Sequence, residues 1–531
     1  MIPASRSKRS LPIPNREFGQ HRSLALLLCG ILAALGACGE AVERPNRESK
    51  TAPPGAGSGA SGETPGPRAI VLISLDTLRA DHLGIYGYER FTSPVLDQFA
   101  SEGVVFDDAS APSPWTLPSH ASMLTGLVPL RHGLVSSEEA LSPEVETLAK
   151  WFSRAGWETS TIVNSLYLHR DLQGLTRDFE DYVAIKRHYA YAQPSTRVTE
   201  EAMARIAQQG ERPLFLFLHY YDLHADYTSL PAYESLLVSP YEGVADGSSW
   251  QLRRANFSDE HIELCVGEPT ADKCQYGKRE DGLWIDDSME RVSFGPPDIR
   301  HLKELYDASI RQTDTEVGRF LSYLSELGRS EDTVVFVTSD HGEEFHEHGR
   351  VDHFLTMYQE SLRVPLLARG PGIPSGLRFG ELVSLIDLSP TLLTLGGVPV
   401  PAGLDGVDLS RLWREPGSLD LSGRVLYGEA SGGLEYHRWL PGFYPIYRSA
   451  RKGSFKLVER TDGGAISYQL HDLATDPGEA RDASRENPAL VAQLKALLEA
   501  RPRGDAGPPP DSRVEISAEE AEQLRALGYV P

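Results

Sequence analysis

Three short apolar runs constrain this chain most. AIVLISL (69–75), PLFLFLH (213–219) and TVVFVTS (333–339) are continuous, rich in branched and aromatic residues, and bounded by polar segments. A strand with one wet face alternates apolar and polar residues, whereas an unbroken run needs cover on both faces. Between them lie segments with helical spacing of apolar residues: SPVLDQFASEG (93–103), VETLAKWFSRAG (145–156) and IRHLKELYDASIRQTDTEVGRFLSYLSELG (299–328). Strands alternating with helices predict an α/β fold, a mostly parallel central sheet flanked by helices.

Ligand sites in such sheets lie just beyond the carboxyl ends of the strands. The first run is followed there by Asp76, the second by His224 in YYDLHADY, and the third by Asp340 and His341 in TSDHGEEF. Carboxylates together with imidazole are divalent-metal ligands. Each residue alone has an ordinary alternative, a helix cap for Asp76 and a turn for Asp340-His341. Their shared edge favours a metal site, with Asp222 and His224 available to a second ion.

A fourth segment, SPWTLPSHASMLTG (113–126), reads as a loop entering a short helix closed by glycine. Proline favours the first helical position, which leaves Thr116 or Leu117 at the helix N-terminus. Thr116 is then either a cap or a nucleophile. A helix N-terminus suits phosphate or sulfate, and a divalent metal lowers the pKa of a hydroxyl.

The remaining chain divides by composition. Residues 1–38 combine a basic stretch with LALLLCGILAALGAC, an apolar run too short to span a membrane comfortably. Leu35-Gly36-Ala37-Cys38 resembles the lipobox of bacterial lipoproteins. That resemblance implies export, a lipid on Cys38 as the only membrane contact, and an envelope location. Gly39 lacks the aspartate that holds such proteins at the inner membrane, so outer-membrane anchoring is expected. Residues 39–67 are rich in Pro, Gly, Ser and Thr and read as a flexible tether. A catalytic domain is expected over 68–420, with 228–297 an irregular insertion that covers substrate. Residues 421–531 hold RVLYGEA, YRSARKGSFKLVER and AISYQLHDL before PALVAQLKALLEA (488–500), a pattern for a small antiparallel sheet with a helix. Cys265 and Cys274 are expected to pair in an oxidising compartment. The net charge of -23 opposes a nucleic-acid partner, which needs a basic face.

In order along the chain, LISLDTLRADHLGIYGY (72–88), TSPVLDQFASEGVVFDDASA (92–111), TLPSHASMLTG (116–126), TSDHGEEF (338–345), YQESLRVPLLARGPG (358–372), VSLIDLSPTLLTLGG (383–397) and YQLHDLATDPGEARD (468–482) resemble the landmarks of the sulfatase-like branch of the alkaline phosphatase superfamily. The resemblance runs from about residue 69 to 530. It implies an alkaline-phosphatase-like sandwich and a metal-dependent ester hydrolase, with Asp76, Thr116, Asp340 and His341 at the ion.

The departures from the family pattern are chemical. Sulfatases carry C-x-P-S-R, whose cysteine or serine becomes formylglycine. Here Thr116 cannot be converted, and His120 replaces the arginine. The second aspartate beside Asp76 is Thr77, IVNSLYL replaces a G-K-x-H segment, and His353 stands near a missing lysine. Threonine nucleophiles elsewhere in the superfamily act at phosphorus. The resemblance therefore implies hydrolysis of phosphate, phosphonate or sulfate esters by Thr116. His224 and His353 are expected at the transferred group as catalytic residues, with His120 and Asn164 touching substrate. Calcium, zinc and manganese all remain open for the metal. The substrate is a small-molecule, glycan or lipid ester. A sulfuric ester hydrolase using threonine directly, a phosphoryl or phosphoethanolamine transferase, and a non-catalytic binder of anions are the alternatives.

Overall fold

The computed structural model describes residues 66–501, apart from 137–138, 169–172, 186–193, 228, 431–444 and most of 257–291. Cys38, where a lipid was expected, the expected tether up to residue 65, and Cys265 and Cys274, which were expected to pair, lie outside the described residues. Everything described falls within one compact unit, Thr64–Pro531.

An eight-stranded sheet forms its centre. In chain order its strands are β1 (Ala69–Leu75), β2 (Val104–Ser110), β3 (Glu158–Val163), β4 (Asp181–Ala184), β5 (Leu214–Tyr220), β6 (Thr333–Thr338), β7 (Arg363–Arg369) and β8 (Leu377–Ser384), arranged β8-β2-β7-β6-β1-β5-β3-β4. Only β7 runs antiparallel to its neighbours; the other pairings are parallel. The three apolar runs occupy adjacent central places, with Ile70 opposite Phe215 on one side and Val334 on the other.

Their unbroken hydrophobicity has a direct structural cause. Ile70, Leu72, Phe215, Phe217, Val334 and Phe336 point into a core on one face of the sheet. Their sequence neighbours Val71, Ile73, Leu216, Leu218, Val335 and Val337 point into the core on the other. Alternate residues thus leave on opposite sides and both sides are dry. The long helix Pro296–Glu326 covers the second face with Leu302, Tyr306, Ile310, Val317 and Phe320. Helices Thr116–Thr125, Leu148–Arg154 and Leu388–Leu395 cover the first.

A four-stranded antiparallel sheet follows: β9 (Val425–Ala430), β10 (Ile446–Lys452), β11 (Phe455–Asp462) and β12 (Ala465–Asp472), paired in that order. Helix Pro488–Glu499 lays Leu494 and Leu498 on Ala450, Leu457 and Leu470 of that sheet. Within the expected insertion, helix Pro231–Leu237 leads to a loop tied to the long helix, where the Ser239 amide donates to Glu304 at 2.7 Å. Helix Ser249–Asn256 binds the backbone of Val351 through Asn256, at 2.6 and 3.1 Å. The insertion is therefore anchored two residues before His353. Among the described residues no helix is long and apolar enough to cross a membrane.

Candidate active site

The carboxyl ends of the three central strands converge on one buried cluster. Asp76 follows β1 directly, and its amide donates to the carbonyl of Tyr220 at the end of β5. The next residue, Thr77, has φ +58°, and its amide donates to Asp340 Oδ1 at 3.2 Å. Left-handed backbone at a β-branched residue is strained, and here the neighbouring strands hold it. Asp340 and His341 follow β6, with Ser339 bracing the turn: its hydroxyl accepts from the Leu78 amide at 2.8 Å and donates to the His341 carbonyl at 2.6 Å.

Thr116 opens its helix at the first helical position, and the cap is Trp115, which makes no side-chain capping bond. Pro118 lies two residues inside, not at the start. The threonine hydroxyl therefore does not cap. It lies 3.4 Å from His341 Nε2, and residue 116 is fully buried. Around that nitrogen stand Asp340 Oδ2 at 3.4 Å and Asp76 Oδ1 at 3.7 Å. His341 Nδ1 donates to the Gly342 carbonyl at 2.9 Å, so a neutral ring turns its Nε2 lone pair into the cluster. Burial holds that ring neutral, well below its usual range.

This cluster fits a divalent metal. One ligand atom from each of Asp76, Asp340 and His341 lies within 4.8 Å of the others. Asp76 Oδ1 and Asp340 Oδ2 are buried and have no hydrogen-bond partner among the described residues. Burial pushes both carboxyls up to about 7. Two dry, half-satisfied carboxylates facing one imidazole lone pair form a cation site by their chemistry.

His353 stands beside it, its ring 4.4 Å from that of His341. Its Nδ1 faces Glu343 at 3.2 Å and Asp352 at 3.0 Å, and its Nε2 has no partner among the described residues. Burial opposes a charged ring, but the two carboxylates outweigh it and hold His353 protonated well above its usual range. Left-handed backbone at Asp352 (φ +73°) and Phe354 (φ +95°) aims the ring. The Phe354 amide binds the Pro114 carbonyl at 3.1 Å, tying this loop to the one that carries Thr116. His224 packs its ring edge 4.8 Å from His353 and stacks on Tyr221.

The other candidates take different places. His120 lies behind the nucleophile: Nδ1 donates to the Thr116 carbonyl at 2.8 Å, and Nε2 meets the Ser74 hydroxyl at 2.9 Å. Nδ1 also lies 3.3 Å from Asp340 Oδ2, so both ring nitrogens already face groups of the protein. Asn164 reaches His219 Nδ1 at 3.2 Å. His219, absent from the sequence expectations, contacts Asp76 Oδ2 through Nε2 at 3.0 Å. Its signal was visible as the one histidine in an apolar strand. Glu343 and Asp352 also went unassigned, because their roles depend on loops whose path the sequence does not reveal.

Gly342 is where the fold tolerates no side chain. A Cβ there would lie 1.9 Å from the Glu360 carbonyl oxygen. Gly342→Ala is expected to lower stability by about 1–3 kcal/mol, measured by urea denaturation, and to displace His341.

The model of the family described as Sulfatase matches residues 68–398. The chain belongs to the sulfatase family. A second model, N-sulphoglucosamine sulphohydrolase, C-terminal, matches residues 346–503. Arylsulfatase K of Rattus norvegicus is 24% identical over 457 residues, covering 81% of this chain and 77% of the relative. A solved enzyme in complex with its substrate D-glucosamine-2-N,6-O-disulfate superposes with TM-score 0.63 at 20% identity, over 82% of this chain and 97% of that one. Phosphonate monoester hydrolase of Agrobacterium radiobacter does so with TM-score 0.62 at 20% identity, over 82% and 95%. The sulfatase family consists of divalent-metal-dependent ester hydrolases, and this member places its acidic and histidine cluster at the strand ends that the fold provides.

Proposed function

We propose that the protein hydrolyses phosphate, phosphonate or sulfate esters through Thr116, without formylglycine. The observation that carries this reading is the Thr116 hydroxyl, buried at the helix start 3.4 Å from His341 Nε2. Asp76, Asp340, His341 and the Thr116 oxygen would hold a divalent cation. When bound, the cation supplies positive charge that favours the threonine alkoxide and screens the anionic substrate. Imidazole in the ligand set, and threonine where a further aspartate is expected, favour zinc or manganese over calcium.

The chain's own groups then act in turn. The start of helix Thr116–Thr125 receives the anionic oxygens. Thr116 Oγ attacks in line, losing its proton to solvent, and the bond from the central atom to the leaving oxygen breaks. His353, charged and held by Glu343 and Asp352, gives its Nε2 proton to that oxygen. Water then attacks the central atom of the Thr116 ester and gives a proton to the now neutral His353 Nε2; the bond to Thr116 Oγ breaks, and that oxygen takes back a proton from solvent. His224 supports the His353 ring from the side.

Phosphorus is the favoured centre, because an unmodified threonine ester must be resolved by a second attack at the transferred atom. The family frame keeps sulfate as the second reading. Aryl phosphate, methylphosphonate, phosphodiester and sulfate substrates sharing one leaving group separate the two. Turnover of phosphonate or phosphate above sulfate is expected, and turnover of sulfate alone overturns the preference.

A further inference from the structure

His219 is a buried imidazole that the reaction above leaves unused. It is the penultimate residue of β5, fully enclosed, and β1 pairs with it at Ser74. Its Nε2 lies 3.0 Å from Asp76 Oδ2. The other oxygen, Asp76 Oδ1, faces His341 Nε2. Its Nδ1 lies 3.2 Å from the Asn164 carboxamide, whose Nδ2 is buried without a partner among the described residues. The ring stands edge-on to His120, at 5.0 Å, and His120 in turn binds the Thr116 carbonyl.

We propose that His219 is a positioning residue for the metal site, holding Asp76 so that Oδ1 alone is presented to the cation. The inference rests on the reading of Asp76, Asp340 and His341 as ligands. A neutral imidazole has one proton. A half-turn of the Asn164 carboxamide replaces Nδ1–H···Oδ1 by Nδ2–H···Nδ1, freeing that proton for Asp76 Oδ2. Asp76 then ligates through a single oxygen of fixed direction, as groups behind a metal's ligands commonly arrange. His120 does the equivalent for the nucleophile by gripping the backbone of Thr116. Two neutral rings in contact thus brace a ligand and the nucleophile from behind.

The test is the zinc affinity of the full chain, measured by competition with a fluorescent chelator, for wild type, His219→Leu and His219→Gln. His219→Leu is expected to weaken zinc binding by roughly 10–100-fold. The melting temperature of its metal-free form should stay within a few degrees of wild type. His219→Gln retains an N–H donor and should recover part of the affinity; it also carries the test if the leucine variant does not fold. Wild-type zinc affinity in folded His219→Leu, or in His219→Gln where the leucine variant does not fold, overturns the proposal. Equal loss of metal-free stability and of affinity overturns it too, since that marks a merely structural residue. Should wild type itself bind neither zinc nor manganese, the metal reading fails, and that outcome is distinct.

Discussion

Thr116→Ala is expected to reduce turnover by roughly 10³-fold or more, while the variant folds and still binds metal, more weakly, through Asp76, Asp340 and His341. The substitution removes one oxygen and one methyl from a hydroxyl that makes no capping bond. Its neighbours keep their partners: Ser119 still donates to the Asp340 carbonyl and His120 to the backbone at 116. Circular dichroism should therefore match wild type, and at saturating metal the variant should still hold the ion through Asp76, Asp340 and His341, so that lost turnover reports on chemistry. Thr116→Ser keeps the nucleophilic oxygen and should stay within about tenfold of wild type. Acid quench during turnover of a phosphate ester should trap a phosphoryl group on the peptide containing residue 116. Full activity of the alanine variant, or a label on another residue, removes threonine from the mechanism.

The second large effect is at the metal. Asp340→Asn keeps the shape of the side chain but removes one of two buried negative charges. It is expected to weaken metal binding by at least about a hundredfold, at or beyond the upper end of the range for residues behind the ligands. Turnover should fall to background at micromolar metal. The pH dependence has a definite sign. Burial pushes Asp76 and Asp340 up to about 7, so the metal-free site is protonated below that pH. Binding must then displace protons, and affinity falls as pH falls. Between pH 8 and pH 6 the loss is expected to reach roughly ten- to a hundredfold. Stability follows the same linkage. A carboxyl whose pKa rises from 3.8 to about 7 on folding favours the metal-free fold fully below pH 3.8, and that contribution is lost as pH climbs to about 7. Chelation should thus lower the melting temperature more at pH 8 than at pH 6. Equal shifts at both pH values contradict the assignment of these two carboxylates.

The central sheet was legible because its signal is local. Runs such as AIVLISL and TVVFVTS state two-sided burial in their own composition, and the ligand edge follows from strand direction alone. Asp76, Asp340 and His341 could be placed on that edge without any pairing information. The antiparallel course of β7 was not legible, since RVPLLAR reads the same in either direction. The site behind the ligands was hidden for a related reason. His120 was expected to touch substrate because it occupies an arginine's place, but the helix rotates it toward Ser74. His219 alternates to the site side of β5 only because that strand's register with β1 sets Ser74 opposite it. Glu343 and Asp352 meet His353 through a loop with left-handed residues that carry no glycine signal.

Trp115, not residue 116, ends the loop and begins the helix, and its ring is locked between Tyr167 and Phe354. The scaffold is therefore indifferent to the side chain at 116: helix entry, backbone grip and neighbouring packing are all supplied by other residues. Such a position is an interchangeable socket. A lineage can trade one reactive side chain for another there with little cost to folding, so the reactive atom can change while the surrounding architecture stays the same. Chemistry and ancestry can diverge within one chain at this single position.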